Sequence, residues 1–119
     1  MITVEVYQMD DCIFCKIING EISSTKVYED ENFLVIKDIN PVAPVHDLVL
    51  YKRHIRNLNE LTNEHEDFSK IFEVIKKVAE LEKISNGYRV VVNNGEEAGQ
   101  EINHIHFHVI GGRKLGKIA

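Results

Sequence analysis

Three histidines stand at alternate positions near the end of the chain, where residues 103–110 read Asn-His-Ile-His-Phe-His-Val-Ile. A period of two is typical of a β-strand, whose successive side chains point to opposite faces of the sheet. The segment therefore predicts a strand that presents three imidazoles on one face and packs Ile, Phe and Val into a core on the other.

Three imidazoles on one strand face could supply a nucleophile, a general base or a phosphate-binding donor, since neutral imidazole can do all three near pH 7. Alternate residues of a strand lie about 6.6 Å apart, so His104 and His108 are separated by roughly 13 Å. One tetrahedral ion, with bonds near ~2 Å, can hold two of the three at most. Neighbouring imidazoles also disfavour each other's protonation, which keeps the middle one, His106, neutral and able to attack.

Two cysteines three residues apart, Cys12 and Cys15, could supply a different chemistry. Apolar residues at positions 13, 14, 17 and 18, followed by Asn19-Gly20, predict one or two helical turns that place both thiols on the same side. Such a pair is half of a zinc site and needs two further ligands. A thioredoxin-like redox pair and two buried, inert thiols are the alternatives that remain open.

Composition limits the class of protein. The chain has 119 residues, a formal net charge of −5 and a pI near 5.6. This length predicts a single domain over residues 1–119, which could dimerise to complete its core. The acidic balance argues against non-specific binding to nucleic acid or to an anionic membrane. Because no apolar run reaches transmembrane length and the N-terminus is not signal-like, we expect a cytoplasmic protein with reduced or metal-bound cysteines.

The elements that must position these groups are five strands and two helices. Strands are predicted at residues 26–29, 33–37, 47–52 and 88–93 and in the histidine segment, after a short N-terminal arm or strand over residues 1–9. Residues 63–84 carry an apolar stripe of helical period, a capping box of Asn63 with Glu66 and an Asn-Gly stop, which predict one long helix. We assign no role to His65 in its first turn. The fold class is therefore α+β, a mostly antiparallel five-stranded sheet with one long and one short helix.

Two loops adjoin these elements. Both prolines of the chain lie in residues 38–44, just ahead of His46, and His54 follows the third strand. Proline fixes backbone angles where a loop must hold its shape. The other loop, residues 94–100, contains Gly95 and Gly99 and is predicted to leave backbone N–H groups free near the histidine face, where they could receive an anionic oxygen. It matches neither a P-loop nor a dinucleotide fingerprint.

The histidine segment resembles the His-φ-His-φ-His-φ-φ signature of the histidine triad (HIT) superfamily, where φ is an apolar residue. The resemblance extends from Cys12 to Gly112 and includes Cys-Ile-Phe-Cys-Lys-Ile-Ile-Asn-Gly at 12–20, Asp-Ile-Asn-Pro at 38–41, Arg-Val-Val-Val-Asn at 89–93 and Gly-Gln at 99–100. These motifs are similar to those of the histidine triad nucleotide-binding (Hint) branch. The resemblance implies a HIT-like homodimer that hydrolyses purine nucleoside 5′-phosphoramidates through a nucleotidyl-histidine, releasing AMP or GMP.

The resemblance also implies roles for individual residues. His106 would attack the α-phosphorus, His108 would donate to a non-bridging phosphate oxygen, and His46 would steer protons to and from the nucleophile. Asp38 would accept the ribose hydroxyls. The other nucleotide contacts that it implies are Ile13, Phe14, Ile17, Ile36 and Leu48 around the base, and Asn93, Gly99, Gln100 and Glu101 at the phosphate and leaving group.

A structural zinc is a further implication of the resemblance. Hint relatives that keep the cysteine pair bind zinc through the two cysteines, a histidine after the third strand and the first histidine of the triad. The matching set in this chain is Cys12, Cys15, His54 and His104. Four protein ligands would leave no open position for water, so the zinc would be structural and catalysis would need no metal.

Glu101 departs from the branch, since several relatives have Ser there, near the leaving group. The chain also lacks the Trp-Pro-Pro tail of animal relatives, a region that shapes substrate choice. Three other functions stay open: a nucleotide- or zinc-binding regulatory protein with incidental turnover, a dinucleoside polyphosphate hydrolase, and a metal-dependent hydrolase or lyase that uses two triad histidines.

Overall fold

The computed structural model describes residues 11–119, so the arm or strand predicted for residues 1–9 lies outside the described residues. The helices and strands are, in chain order, α1 (Ile13–Ile18), β1 (Lys26–Glu29), β2 (Phe33–Lys37), β3 (Val45–Tyr51), α2 (Ile71–Leu81), β4 (Tyr88–Val91) and β5 (His106–Gly111). Short 3₁₀ helices cover Leu58–Glu60, Asn63–Lys70 and Glu96–Ala98. None of the helices in residues 11–119 is long and apolar enough to cross a membrane.

The five strands form one sheet in the order β1-β2-β3-β5-β4, and all neighbours are antiparallel. The histidine strand β5 is internal, between β3 and β4. In its register with β3, His106 lies opposite Leu50 and His108 lies opposite Leu48. The architecture confirms the predicted α+β fold with an antiparallel five-stranded sheet.

The sheet separates two apolar clusters. On one face, α2 packs over a core that includes Val35, Val49, Phe107 and Val109. On the other face, α1 covers Leu34, Ile36, Leu48 and Leu50. Residues directly opposite each other on paired strands share a face, so His106 and His108 lie on the α1 face. The alternation predicted for this segment is confirmed, because its apolar residues are buried in the core under α2.

Two strand boundaries differ from the prediction in ways that affect the site. Strand β3 begins at Val45, two residues earlier than predicted, so His46 lies within the strand. Strand β5 begins at His106, so His104 precedes the strand although its ring is fully buried. Both differences arise because hydrogen bonding to neighbouring strands, and not the local alternation, sets where a strand starts.

The predicted single helix over residues 63–84 is wrong in its first turns. Residues Asn63–Lys70 form a 3₁₀ helix with a non-helical residue at His65 (φ −110°, ψ 38°), and α2 begins at Ile71. Thr62 is the N-cap, and Nδ1 of His65 accepts a hydrogen bond from its backbone N–H at 3.0 Å. The capping box is therefore shifted by one residue, because an imidazole nitrogen takes the part that Glu or Gln usually plays.

Candidate active site and metal centre

Four ligand atoms converge beside the first turn of α1. They are Sγ of Cys12, Sγ of Cys15, Nδ1 of His54 and Nδ1 of His104, and all lie within 4.8 Å of one another. The sulfur of Cys12 is 3.4 Å from Nδ1 of His104, the sulfur of Cys15 is 3.3 Å from Nδ1 of His54, and the two imidazole nitrogens are 3.1 Å apart. Ligand atoms of a tetrahedral zinc site lie about 3.3–3.8 Å apart. The cluster could hold a metal ion, and its Cys₂His₂ chemistry fits zinc.

The local chain prepares these donors for an ion. Cys12 is the N-cap of α1, and its sulfur accepts the backbone N–H of Cys15 at 3.3 Å. Nε2 of His104 lies 2.7 Å from the carbonyl oxygen of Tyr51. Because a carbonyl can only accept, Nε2 carries the proton and Nδ1 presents its lone pair to the cluster. Burial is the main reason why the pKa of His104 falls to about 4, so this ring is neutral and able to bind a metal.

The tautomer of His106 is set by the same kind of contact. Its Nδ1 lies 2.7 Å from the carbonyl oxygen of His104 and therefore donates to it. The lone pair of His106 is then on Nε2. Burial lowers the pKa of this imidazole below its usual value, which favours the neutral form. The ring of Phe14 packs edge-on against it, with centroids 5.0 Å apart, and limits its rotation.

His46 and His108 form a hydrogen-bonded pair. Nδ1 of His46 accepts the backbone N–H of Val42 at 3.1 Å, so the proton of the neutral ring is on Nε2. That Nε2–H lies 2.9 Å from Nδ1 of His108 and 3.3 Å from Oδ2 of Asp38. His108 therefore accepts at Nδ1 and keeps its own proton on Nε2. Burial, with the neighbouring rings of His106 and His46, lowers the pKa of His108 to about 4.

Asp38, His46 and His108 are also close enough to be considered as a second metal site. The hydrogen bond from Val42 argues against this use. While Nδ1 of His46 accepts that N–H, its Nε2 can bind an ion only by losing the ring's remaining proton. Proton transfer between the three groups requires no such loss, so the geometry fits a relay better than a metal site.

A cavity of about 450 Å³ opens in front of the histidines on the α1 face, a size usual for small-molecule sites. Eleven of the predicted nucleotide contacts line it: Ile13, Phe14, Ile17, Ile36, Asp38, Leu48, Asn93, Gly99, Glu101, His106 and His108. Four further lining residues were missed: Lys37, Ile39, Asn40 and Ile102. Their adjacency to Asp38 and Glu101 in the sequence was the available signal.

Three predicted features lie elsewhere. Gln100 does not line the cavity, since its amide donates to the carbonyls of Arg56 and Ile102 and accepts the N–H of Gly95. His46 lies behind His108 and contacts it, not the cavity. The loop 94–100 is predicted to leave backbone N–H groups free near the histidine face, but those of both its glycines are engaged within the loop. Gly95 donates to Gln100, and Gly99 donates to the carbonyl of Glu96.

Comparison with known proteins gives a consistent result. The HIT domain family matches residues 19–115. A HIT-like protein of Chlamydia muridarum (strain MoPn / Nigg) is 49% identical over 110 residues, which cover 90% of this chain and 86% of the relative. A solved histidine triad protein from Clostridium difficile is 45% identical, with a TM-score of 0.88, over 94% of this chain and 99% of that chain. A HIT family hydrolase from Clostridium thermocellum is 43% identical, with a TM-score of 0.89, over 94% and 100%.

These proteins are similar to the chain over nearly its full described length, and the solved structures share its fold. With His106 and His108 on an internal strand and facing a cavity, the chain belongs to the HIT domain family.

Proposed function

We propose that this protein is a nucleoside phosphoramidase of the Hint branch, which cleaves the P–N bond of purine nucleoside 5′-phosphoramidates and releases AMP or GMP. The main support is the hydrogen bond from Nδ1 of His106 to the carbonyl of His104, because it leaves the lone pair on Nε2, the nitrogen that we propose attacks phosphorus. Similarity to a solved HIT family hydrolase supports hydrolytic chemistry.

The first step is attack of Nε2 of His106 on the α-phosphorus. The N–P bond to His106 forms, the P–N bond to the leaving amine breaks, and the amine takes up a proton. His108 is the proposed proton donor, because its Nδ1 is engaged by His46 and its protonated Nε2 remains for the cavity. A non-bridging phosphate oxygen would accept the same N–H before the transfer.

In the second step, water attacks the nucleotidyl-His106 intermediate. The O–P bond forms, the bond from phosphorus to Nε2 breaks, and the proton of the water returns to the pair His108–His46. The proton lent to the amine is thereby replaced, and the enzyme ends in its starting state. For this account to balance, the pair takes up one proton from solvent when the anionic substrate binds, so it is cationic before the first step, neutral after it and cationic again after the second. Asp38, at 3.3 Å from His46, would stabilise that positive charge.

The cavity supports a nucleoside monophosphate as the bound group. Its apolar lining comes from α1, β2 and β3, where Phe14, Ile36 and Leu48 could sandwich a purine. Its polar lining lies towards β5 and β4, with the histidines and Asn93. Asp38, directly after β2, is the proposed acceptor for the ribose hydroxyls. In the proposed complex the base therefore lies over β2 and β3, and the phosphate lies over β5 and β4.

Zinc is the proposed occupant of the Cys₂His₂ cluster. Held by Cys12, Cys15, His54 and His104, the ion would have four protein ligands and would brace α1 against the sheet, with no open position for substrate. Catalysis is therefore assigned to the histidines alone. Two thiols used in this way need a reducing compartment, which is consistent with a cytoplasmic location.

A second copy of the chain is the proposed partner. Val90 on the edge strand β4 pairs with buried Val109, on the face that α2 covers, yet 41% of Val90 is exposed. Phe72 on α2 is 65% exposed. Two apolar groups on one side of the molecule, next to an unpaired strand edge in residues 11–119, suit an isologous homodimer.

The experiment that tests the proposal is capture of the intermediate. Adenosine 5′-phosphoramidate is mixed with the protein, quenched within milliseconds to seconds and digested, and we expect an adenylyl mass on the peptide that carries His106. His106→Ala should lose both adduct and turnover. His65→Gln is the matched control and should keep both. It replaces a histidine outside the site with a side chain that can still form the capping box.

Other outcomes would favour other functions. Turnover that survives in His106→Ala without any adduct would reject the nucleophile and favour a metal-dependent reaction. Tight AMP binding without turnover would favour a regulatory nucleotide-binding protein. Faster cleavage of diadenosine polyphosphates than of the phosphoramidate would make the protein a dinucleoside polyphosphate hydrolase.

A further inference from the structure

We propose that Glu101 and an adjoining second cavity form a subsite for the leaving group, which selects phosphoramidates whose amine carries an additional positive charge. The inference rests on the proposed function, because it names the substrate class that the same site would accept.

The second cavity has a volume of about 390 Å³ and lies next to the first. Ile13, Glu101 and Ile102 line both cavities, so the two meet at these residues. The remaining lining residues are Asp11, Cys12, His54, Arg56 and Asn103. None of them belongs to β2 or β3, which carry much of the apolar lining proposed for the base.

This arrangement gives the leaving group one direction. A bound nucleotide has its base against α1, β2 and β3 and its phosphorus at His106. The substituent on phosphorus that is not the nucleoside must then leave the first cavity at the phosphate end. Glu101 lines both cavities, on the segment that leads into β5, so a substituent that leaves past Glu101 enters the second cavity.

The charges of the second cavity favour a cation. Glu101 is exposed and has no ion-pair partner among residues 11–119. Arg56 is the cationic side chain in the described lining, but its Nε lies 2.8 Å from Oε2 of Glu60, which neutralises it. Asp11 adds a second carboxylate. Residues 1–10 contain no Lys or Arg side chain.

The size of the effect follows from solvent screening. Glu101 is exposed, so its attraction for a cation a few ångströms away is that of a partly hydrated pair and weakens with salt. We expect a preference of about 3- to 10-fold for a cationic over a neutral leaving group at low ionic strength, and a comparable penalty for an anionic one.

The test uses three AMP phosphoramidates that differ in the far end of a four-carbon amine: 1,4-diaminobutane, butylamine and 4-aminobutyrate. For the wild-type protein at pH 7, kcat/KM should fall in that order. Glu101→Gln should bring the three values together, and Glu101→Lys should reverse the order. Glu97→Gln removes a carboxylate from the same loop outside both cavities, and should keep the wild-type order.

Binding gives a second measurement that does not need turnover. The dissociation constants of the three compounds for His106→Ala should show the same order, and the double variant with Glu101→Gln should lose it. Turnover or binding with no dependence on the charge of the amine overturns the inference while leaving the proposed function intact. Absence of turnover with all three compounds overturns the proposed function, whereas a charge-ordered affinity would still support the subsite.

Discussion

The carbonyl oxygen of His104 accepts a hydrogen bond from Nδ1 of His106 at 2.7 Å, while the ring of the same His104 points Nδ1 into the four-donor cluster. One residue therefore belongs to both sites. The cluster also holds α1, which carries Phe14 against the ring of His106. An ion in the cluster would fix the orientation of His106, the proposed nucleophile, and one wall of the cavity without touching the substrate.

Removal of the metal should therefore weaken nucleotide binding as well as lower stability. We expect a protein stripped by a chelator to lose several degrees in Tm and to bind AMP about 3- to 10-fold more weakly, below its unfolding temperature. Titration calorimetry on stripped protein measures the affinity, and re-addition of zinc should restore it. An unchanged AMP affinity in a folded, metal-free protein would show that the cluster acts only on stability.

The pair His46–His108 should govern proton transfer more than substrate binding. His46→Gln keeps a hydrogen-bond donor for Nδ1 of His108 but cannot take up or release a proton, so kcat should fall by about 10²- to 10⁴-fold while KM changes by a few-fold. Steady-state kinetics with adenosine 5′-phosphoramidate separate the two constants. A rise in KM with kcat unchanged would place His46 in binding and remove it from the relay.

The fold class and the shared face of the three histidines can be predicted from local sequence, but the contact between His46 and His108 cannot. The alternation at 104–108 predicts a shared face because each step of a strand turns the side chain by half a revolution. The 2.9 Å contact of His46 with His108 depends instead on the register of β3 against β5, because the two residues are 62 positions apart in the sequence. Register comes from cores and turns across the whole sheet, so spacing in the sequence cannot supply it.

Gln100 shows the same limit at the level of one side chain. Its motif placed it near the phosphate, yet a buried amide must satisfy its own donors and acceptor, and the nearest partners are the carbonyls of Arg56 and Ile102. The metal donors were predictable as residue types. Their convergence depends on the packing of α1 beside His104. The resemblance to a family predicted this convergence, whereas the spacing of the residues alone did not.

Gly112 is required by its backbone and by a close neighbour. Its φ is +95°, and a Cβ there would lie 2.9 Å from Cβ of Pro44, in the segment that leads to His46. Gly112→Ala should destabilise the protein by about 1–3 kcal/mol and lower kcat by displacing that segment. Urea unfolding and kinetics measure both. Gly116→Ala is the matched control, since nothing lies within 4 Å of its added Cβ.

The proposed dimer should depend on the exposed aromatic ring of α2. Phe72→Glu puts a charge into the apolar patch, so we expect a shift from dimer to monomer at micromolar concentration with an unchanged circular dichroism spectrum. Light scattering coupled to size-exclusion chromatography gives the mass. Lys77→Glu, on an exposed part of the same helix, should remain dimeric. A wild-type protein that is already monomeric under these conditions would contradict the proposal.

Asp47 is a buried carboxyl on the α2 face of the central strand β3. Its side chain is 0% exposed, and neither carboxyl oxygen has a hydrogen-bond partner at bonding distance in residues 11–119. The nearby Glu82 is ion-paired with Lys37 at 3.0 Å. Burial, followed by the neighbouring Glu82 carboxylate, raises the pKa of Asp47 to about 8. At neutral pH the folded protein therefore keeps Asp47 protonated.

This proton makes stability depend on pH in a defined window. In the unfolded chain Asp47 ionises near its ordinary pKa of 3.8, whereas in the folded protein it ionises near 8, so the folded state holds the extra proton between these values. Stability should fall as pH rises through this window and level off above it. Asp47→Asn cannot ionise, so it never adds a second negative charge beside Glu82. We expect it to unfold at higher urea than the wild type at pH 8, by about 1–3 kcal/mol, and the gain to shrink towards pH 5. Urea titrations at several pH values measure this difference, with the exposed Glu80→Gln as control; an equal gain at every pH would mean that Asp47 does not titrate in this range.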